Sequence, residues 1–271
     1  VFDSNGDGTL DVVIAGAHAG CSLYRNNGDG TFTDISAGSG LDSCVYAFSL
    51  AVGDYDNNGL PDLFISGLGF FDGQGVLMRN NGDGTFTDVT GAAGLGMWGP
   101  AFTAVWVDYD LDGYLDLFVV NNLGGLFDRK TPNRLFHNNG DGTFTQTDLP
   151  GVHGGLSMGI TVADIDNDGL GDPYVGNMYS KAGERIVANI RKGLYDEYGD
   201  DIQQQLEEIV SGNELYYNKG NGEFERIGRQ VGVNDVGWAY GTGAADLDGD
   251  GFPDIYAPVG FQSVDSARPD G

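Results

Sequence analysis

The chain contains few of the residues that most enzymes and nucleic-acid-binding proteins depend on. Its 271 residues include two cysteines, three histidines and 13 lysines and arginines, against 40 aspartates and glutamates. Two cysteines are too few for a disulfide scaffold, and the histidines stand singly, without the spacing of a metal, haem or nucleophile motif. The formal charge of −27 opposes binding to nucleic acid or anionic membranes. No apolar run is long enough to span a bilayer.

Glycine and aromatic residues are abundant instead. The sequence has 47 glycines, 40% hydrophobic residues and 11% aromatic residues. Its negative charge alone would suit a disordered chain, but the aromatic content and the regular apolar runs favour a folded protein with a large core. So many glycines indicate a fold with many turns.

Five acidic segments share one frame of nine residues. Side-chain oxygens occupy positions 1, 3, 5 and 9, glycine occupies position 6, and the backbone carbonyl of position 7 is a further ligand. Crowded carboxylates are costly to keep ionised without a cation between them, and oxygen ligands favour Ca²⁺. We number the segments loop 1 to loop 5: DSNGDGTLD (residues 3–11), DYDNNGLPD (54–62), DYDLDGYLD (108–116), DIDNDGLGD (164–172) and DLDGDGFPD (246–254).

The loops differ from EF-hands in the residues that come after them. An EF-hand needs glutamate at position 12 and a helix on each side. Position 12 is apolar in all five loops, and each loop precedes a β-rich run such as DLFISG, which predicts a buried strand. The loops also do not run head to tail, as the nonapeptides of calcium-binding β-helices do.

A second motif recurs in step with the loops. It is LYRNNGDGTFTDIS from Leu23, LMRNNGDGTFTDVT from Leu77, LFHNNGDGTFTQTD from Leu135 and LYYNKGNGEFERIG from Leu215. Each copy predicts two strands around a turn. For the aspartate of NGDG a role as a turn residue is favoured over the alternative, contact with a cation. With one strand before each loop and one after it, the units predict four-stranded antiparallel blades of a β-propeller.

The units resemble FG-GAP/VCBS repeats, the calcium-binding blades of integrin α-subunit heads and of many secreted bacterial proteins. The segments SMGITVADIDNDGLGDPYVGNMYSKAGERI and GWAYGTGAADLDGDGFPDIYAP are similar to the bacterial ASPIC/UnbV, cartilage-acidic-protein-like branch. The resemblance implies about five Ca²⁺ ions, one in each loop. The implied side-chain ligands are Asp3, Asn5, Asp7, Asp11, Asp54, Asp56, Asn58, Asp62, Asp108, Asp110, Asp112, Asp116, Asp164, Asp166, Asp168, Asp172, Asp246, Asp248, Asp250 and Asp254. The implied carbonyl ligands are those of Thr9, Leu60, Tyr114, Leu170 and Phe252. Because asparagine lowers the ligand charge, loops 1 and 2 are expected to bind more weakly.

We expect residues 1–271 to form one all-β propeller domain. It would be a partial ring of about four and a half blades from a longer, processed or incompletely observed parent with about seven, since the chain starts and ends inside blades. Residues 181–212, between the second and third strands of the fourth blade, predict a helical insertion because Ile202 and Leu206 begin an amphipathic period. This insertion would pack onto the propeller or serve as a partner-docking arm.

The two cysteines fall in connections on the predicted face opposite the metal loops. Cys21 precedes the third strand of the first blade, and Cys44 precedes the first strand of the next. We expect a disulfide between neighbouring blades, and two buried thiols are the alternative.

A candidate partner face lies at the mouth of the innermost strands. It is predicted to contain Phe48, Trp98, Phe102, Met158, Trp238 and Tyr240. These side chains either pack between blades or form an aromatic rim for a partner. His137 occupies a strand position equivalent to Arg25, Arg79 and Tyr217, and we expect it to face solvent.

The predicted function is that of an exported, calcium-binding interaction or scaffold module with a protein or glycan ligand. Extracellular calcium-binding modules bind Ca²⁺ at about 10⁻⁴ to 10⁻³ M, so we expect an extracellular, cell-surface or periplasmic location. No nucleic acid partner, no membrane insertion and no enzymatic activity of this chain are expected. The alternatives are the propeller part of a carbohydrate-active enzyme and a structural subunit of a larger assembly.

Overall fold

The chain is described by a computed structural model. It covers residues 1–16, 20–41, 44, 46–68, 74–96, 101–121, 133–147, 157–177, 188–189, 192–193, 212–220, 222–237 and 239–259. The prediction of an all-β protein is confirmed, because this part of the chain contains almost no helix. The predicted insertion at 181–212 lies largely outside the described residues. In the part of the chain that is described, no helix has the length and apolar character to cross a bilayer.

The described residues form strands that pair with their neighbours in sequence. The strands are β1 (Val12–Gly16), β2 (Gly20–Asn26), β3 (Phe32–Asp34), β4 (Ser49–Gly53), β5 (Asp62–Leu68), β6 (Gln74–Asn80), β7 (Phe86–Asp88), β8 (Ala101–Val107), β9 (Asp116–Asn121), β10 (Arg134–Asn138), β11 (Phe144–Thr147), β12 (Ser157–Ala163), β13 (Asp172–Asn177), β14 (Glu214–Asn218), β15 (Phe224–Arg226), β16 (Gly243–Ala245) and β17 (Asp254–Tyr256). They form three four-stranded sheets, β4-β5-β6-β7, β8-β9-β10-β11 and β12-β13-β14-β15, flanked in sequence by the three-stranded β1-β2-β3 and the two-stranded β16-β17. The eleven strand pairs with a defined register are antiparallel, as predicted.

Each four-stranded sheet repeats one connection pattern. An acidic loop joins the first strand to the second, and an NNGDG or NKGNG turn joins the third to the fourth. The register places the loop ends opposite one another, as in the pairing of Gly53 with Asp62. The second strand is the most buried, and both β9 and β13 are buried along their whole length. The predicted burial of the strand after the loop is therefore confirmed in these sheets.

The first and last sheets depart from that prediction. In β1 the side chain of Ile14 is 52% exposed, and two of the three residues of β17 are exposed. Both strands belong to incomplete sheets, of three and two strands, so fewer neighbouring side chains cover them. An apolar sequence therefore produces a buried strand only where a full sheet surrounds it.

The chain divides into two compact units. Unit 1 contains Val1–Val119 and Arg134–Asp148, and unit 2 contains Val120–Asn133 and Leu149–Gly271. In unit 1 the ring of Trp106 stacks on Tyr55, with centroids 6.3 Å apart and planes within 13°, and meets Phe64 edge-on. In unit 2 the core includes Tyr174, whose hydroxyl donates to the Val233 carbonyl at 2.7 Å.

Small side chains allow the first strands of successive sheets to approach closely. In unit 1 the Ser49 and Thr103 hydroxyls lie 2.9 Å apart, and the Ser66 hydroxyl donates to the Phe102 carbonyl at 2.9 Å. In unit 2 a Cβ added to Gly159 would lie only 3.0 Å from the Cα of Gly241. Larger residues at these positions would separate the sheets.

A disulfide joins Cys21 and Cys44. Both residues are buried, with Cα atoms 5.5 Å apart, and the bond links β2 to the segment that leads into β4. It therefore connects the first sheet to the second, in the arrangement expected from the sequence. Such bonds persist mainly in oxidising compartments.

Gly40 should be the most sensitive position in the connection between these two sheets. Its φ of +86° is left-handed, and an added Cβ would collide with the Phe86 carbonyl oxygen, whereas Gly38 (φ +77°) has open space around it. We expect G40A to destabilise the protein by about 2–3 kcal/mol and G38A by about 1 kcal/mol. Denaturant unfolding monitored by circular dichroism measures both. Equal losses for the two variants would contradict the packing argument.

Candidate metal centres in the repeat loops

Each loop is organised by hydrogen bonds from its own backbone. In loop 2, Asp54 Oδ1 accepts from the Asn58 amide at 3.0 Å and Asp54 Oδ2 accepts from the Gly59 amide at 2.8 Å. The position 5 side chain, Asn58, accepts from the amide of Leu60 at 2.7 Å. The position 1 bonds recur in the other four loops, as does the position 5 bond. The chain therefore wraps the loop around its polar side chains.

Two positions of every loop adopt left-handed backbone conformations. Position 6 is glycine throughout, with φ between +85° and +94°, which accounts for the glycine that the sequence places there. Position 4 is also left-handed, and it is held by glycine or asparagine except at Leu111, where φ is +59°. The sequence pattern did not indicate this second turn position.

The ninth residue of the loop is a buried carboxylate that joins the loop to the third strand. In loop 2, Asp62 Oδ1 accepts from the Asn80 amide at 2.7 Å, and Oδ2 accepts from the Tyr55 amide at 3.3 Å. Loops 1, 3 and 4 repeat both bonds. These four carboxylates are at most 1% exposed, whereas Asp254 of loop 5, whose sheet has two described strands, is exposed.

An asparagine at the end of each third strand completes this connection, and sequence reasoning missed it. The Asn138 side-chain amide donates to the Tyr55 carbonyl at 2.8 Å and to the Leu115 carbonyl at 3.0 Å. Its side-chain oxygen accepts from the Gly140 amide at 3.1 Å. Asn26, Asn80 and Asn218 likewise bond the eighth loop carbonyl and the turn glycine. The first asparagine of the NNGDG motif, repeated in the sequence, was the available signal.

The NGDG aspartates have the turn role that the sequence predicts. Asp83 is exposed and accepts from both the amide and the hydroxyl of Thr85, and these bonds lower its pKa. Asp29 and Asp141 have the same partners two residues later and the same pKa direction.

Burial raises the pKa of three ninth-position carboxyls. The pKa of Asp62 rises to about 7, and those of Asp116 and Asp172 rise to about 6. Loss of hydration is the main cause, and neighbouring loop carboxylates add to it, while the backbone amides oppose it. At neutral pH these three carboxyl groups therefore carry negative charge that their buried environment disfavours.

Carboxylate oxygens gather at single points in four of the loops. Ligand atoms within 4.8 Å of one another come from Asp54, Asp56 and Asp62; Asp108, Asp110 and Asp112; Asp164, Asp166 and Asp172; and Asp246, Asp248 and Asp250. Asp56 Oδ1 and Asp110 Oδ1 are buried and have no hydrogen-bond partner among the described residues. Buried acceptors of this kind need a counter-charge, and an all-oxygen set fits Ca²⁺. Calcium binding stays a prediction, as does the ligand role of the position 7 carbonyls.

Neighbouring loops are joined by side-chain hydrogen bonds. Within unit 1 the Asn57 side chain donates to the Gly113 carbonyl at 3.0 Å, from position 4 of loop 2 to position 6 of loop 3. Within unit 2, Asn167 makes the same bond from loop 4 to Gly251 of loop 5, also at 3.0 Å. Successive acidic loops therefore lie side by side within each unit.

His137 does not face solvent, contrary to the expectation from its strand position. Its side chain is 30% exposed, and Nδ1 lies 3.2 Å from Asp116 Oδ1 and 3.5 Å from Asp110 Oδ2. The register of β10 turns this residue towards loop 3. Tyr217, the equivalent residue of β14, faces loop 4 and donates to Asp166 at 2.9 Å.

The predicted partner face is only partly brought together. In unit 1, Phe48 is 42% exposed and stacks on Phe102 with centroids 5.4 Å apart. In unit 2, Met158 is buried and Tyr240 is exposed. Trp98 and Trp238 lie outside the described residues, as do His18 and His153.

A cavity of about 500 Å³ lies beside loop 2 in unit 1. Its lining includes Val89 and two alanines as well as polar side chains, and Asp56, Asp141 and Arg79 give it both signs of charge. The turn after β10 closes it from one side.

These features define a repeat protein of antiparallel sheets, each with an acidic loop between its first two strands. The chain belongs to the FG-GAP-like repeat family, whose model matches residues 3–65, 66–119, 108–175 and 207–257. Among solved structures, it is similar to the V. cholerae biofilm matrix protein Bap1, with 16% identity and a TM-score of 0.35. That match covers 94% of this chain and 26% of the other, so the chain spans about a quarter of that protein. No curated protein matches the chain.

The buried asparagine of a repeat should matter more than its exposed neighbour. N138A removes three hydrogen bonds and leaves the buried carbonyl of Tyr55 and the partly buried carbonyl of Leu115 without this donor, so we expect a loss of about 2–4 kcal/mol. N139A removes bonds to Thr143 and Thr145 at the surface and should cost less than about 1 kcal/mol. Chemical denaturation measures both, and a larger loss for N139A would contradict this account.

The metal-free protein should be less stable at neutral pH than in mild acid. The carboxyls of Asp62, Asp116 and Asp172 have raised pKa values when folded and about 4 when unfolded, so the folded state binds more protons between these values. Stability should therefore fall as the pH rises from about 4 to 7. The urea concentration at half-unfolding, measured in EGTA at pH 5.0 and 7.5, tests whether stability falls with rising pH. D62N should show a smaller pH dependence of this midpoint. A midpoint that rises with pH would contradict it.

Proposed function

We propose that this chain is a calcium-stabilised propeller segment that works outside the cytoplasm as a binding or scaffold module. The observation that carries the proposal is the pair of buried carboxylate oxygens, Asp56 Oδ1 and Asp110 Oδ1, which have no hydrogen-bond partner among the described residues. Both are at position 3 of a loop whose other carboxylates lie within reach of the same ion. A divalent cation there offsets their repulsion and supplies their missing partner.

The propeller arrangement is supported by the order of the sheets within each unit. First strands of consecutive sheets touch, as β4 does with β8 and β12 with β16, and their acidic loops are hydrogen-bonded in sequence. Repetition of this step around an axis generates a ring of blades with the ions along one face.

Export is supported by calcium supply and redox chemistry. Extracellular modules bind Ca²⁺ at about 10⁻⁴ to 10⁻³ M, which matches the millimolar calcium outside cells. The Cys21–Cys44 disulfide needs an oxidising compartment to persist. The net charge of −27 repels the phosphates of nucleic acid, so a protein or glycan is the favoured class of partner.

The partner surface is proposed to lie away from the ions, at the exposed Phe48–Phe102 stack of unit 1. An aromatic pair in which Phe48 is 42% exposed offers a flat apolar surface to a sugar ring or a protein side chain. Within this proposal the ions stabilise the fold and the chain performs binding rather than catalysis.

Calcium should raise the melting temperature and bind in a countable way. An ion that binds only the folded state stabilises it by about 2.7 kcal/mol at a concentration of 100 Kd. We expect Ca²⁺ to raise the melting temperature of the EGTA-treated protein strongly and Mg²⁺ to raise it less. D56N should lower the number of bound ions by one, measured by equilibrium dialysis with elemental analysis. The matched control D83N changes a turn aspartate of the same repeat and should leave that number unchanged.

Two results would contradict the calcium proposal. One is a melting temperature that is the same in Ca²⁺ and in EGTA. The other is an equal loss of bound ions in D56N and D83N, because that would indicate a diffuse charge effect and not a site.

A further inference from the structure

The imidazole of His137 lies against two carboxylates of the third repeat. His137 Nδ1 is 3.2 Å from Asp116 Oδ1 and 3.5 Å from Asp110 Oδ2. The possible ligand atoms of these three side chains all lie within 4.8 Å of one another. Asp116 begins β9, Asp110 belongs to loop 3 and His137 is on β10, so three separate segments fix the arrangement.

A hydrogen bond does not account for this contact. Nδ1 is buried and has no hydrogen-bond partner among the described residues, despite the short distances to both oxygens. Neither oxygen therefore lies along the direction in which a ring N–H would point. Asp116 Oδ1 already accepts from the Asn138 amide at 2.7 Å. When the imidazole is neutral, three electron-rich atoms face one another, and a cation among them would offset their repulsion.

We propose that Asp110, Asp116 and His137 bind a transition-metal ion of the Zn²⁺ or Co²⁺ class. Ligands about 2.1 Å from such an ion are roughly 3.0–3.4 Å apart in tetrahedral or octahedral geometry. The observed separations of 3.2 and 3.5 Å fit this spacing. A metal on the ring's lone-pair direction also leaves the neighbouring oxygens off that axis, as observed. Imidazole with carboxylates suits Zn²⁺ and Co²⁺, whereas Ca²⁺ prefers oxygen alone.

Among the four third strands that the structure describes, only β10 carries a histidine at this position. The residues equivalent to His137 are Arg25, Arg79 and Tyr217, none of which is a common ligand of these metals. Asp110 and Asp116 both belong to the predicted calcium set of loop 3, so the two ions would share these ligands, but the proposal does not require calcium in any loop. It therefore stands or falls separately from the proposed function.

The test is a Co²⁺ titration of the untagged full chain, with and without saturating Ca²⁺. Visible absorption reports the ligand field of bound Co²⁺, and equilibrium dialysis with elemental analysis counts the ions. We expect one high-affinity Co²⁺ per wild-type chain, displaced by Zn²⁺, and at least about tenfold weaker binding by H137Q. R25Q changes the equivalent residue of the first repeat and should bind Co²⁺ like the wild type.

A second measurement keeps the proposal testable if H137Q folds poorly. In the wild-type protein, ring signals of the three histidines are followed by NMR during addition of Co²⁺ below one equivalent. The proposal requires the His137 ring to shift first. Absence of a high-affinity Co²⁺ or Zn²⁺ site, equal affinity in H137Q and wild type, or shifts confined to His18 or His153 would each overturn it. A normal Ca²⁺-dependent melting temperature in H137Q would show that such a failure leaves the proposed function standing.

Discussion

The structure depends on a buried aspartate that accepts hydrogen bonds from two segments of backbone. In each of loops 1 to 4 the ninth residue bonds an amide at the start of its own loop and an amide at the end of the third strand. The side chain of the asparagine that supplies the strand amide bonds back to the loop. One carboxylate thus fixes three strands and a loop of its sheet. In the two-stranded sheet β16-β17, Asp254 is exposed.

Burial of these aspartates also makes the electrostatics of the loops unfavourable. Burying Asp62, Asp116 and Asp172 raises their pKa values, while positions 1, 3 and 5 add further carboxylates nearby. Backbone amides donate hydrogen bonds to some of these carboxylate oxygens. The position 3 oxygens Asp56 Oδ1 and Asp110 Oδ1 have no hydrogen-bond partner among the described residues. A chain that uses buried carboxylates to join its strands is therefore suited to depend on cations for stability at neutral pH.

The repeats share a backbone but differ in chemistry. Position 4 carries an asparagine that reaches the next loop in loops 2 and 4, and an exposed leucine, Leu111, in loop 3. The third strand presents Arg25, Arg79, His137 and Tyr217 at one register position. Because this position lies over the acidic loop, a single substitution there changes the donor set without changing the fold. Divergence among repeats can thus adjust each site separately.

The sequence by itself determined the repeat, the nine-residue frame, the four-stranded antiparallel sheets and the two strands around each turn. These features arise from local spacing: alternating oxygens, glycine at position 6 and apolar runs of strand length. Only the tertiary structure decided that Asn138 is a buried bridge while Asn139 is at the surface, and that His137 points at Asp110 and Asp116 instead of solvent. Neighbours in sequence look alike, and their roles diverge because the pleat of a strand sends successive side chains to opposite faces.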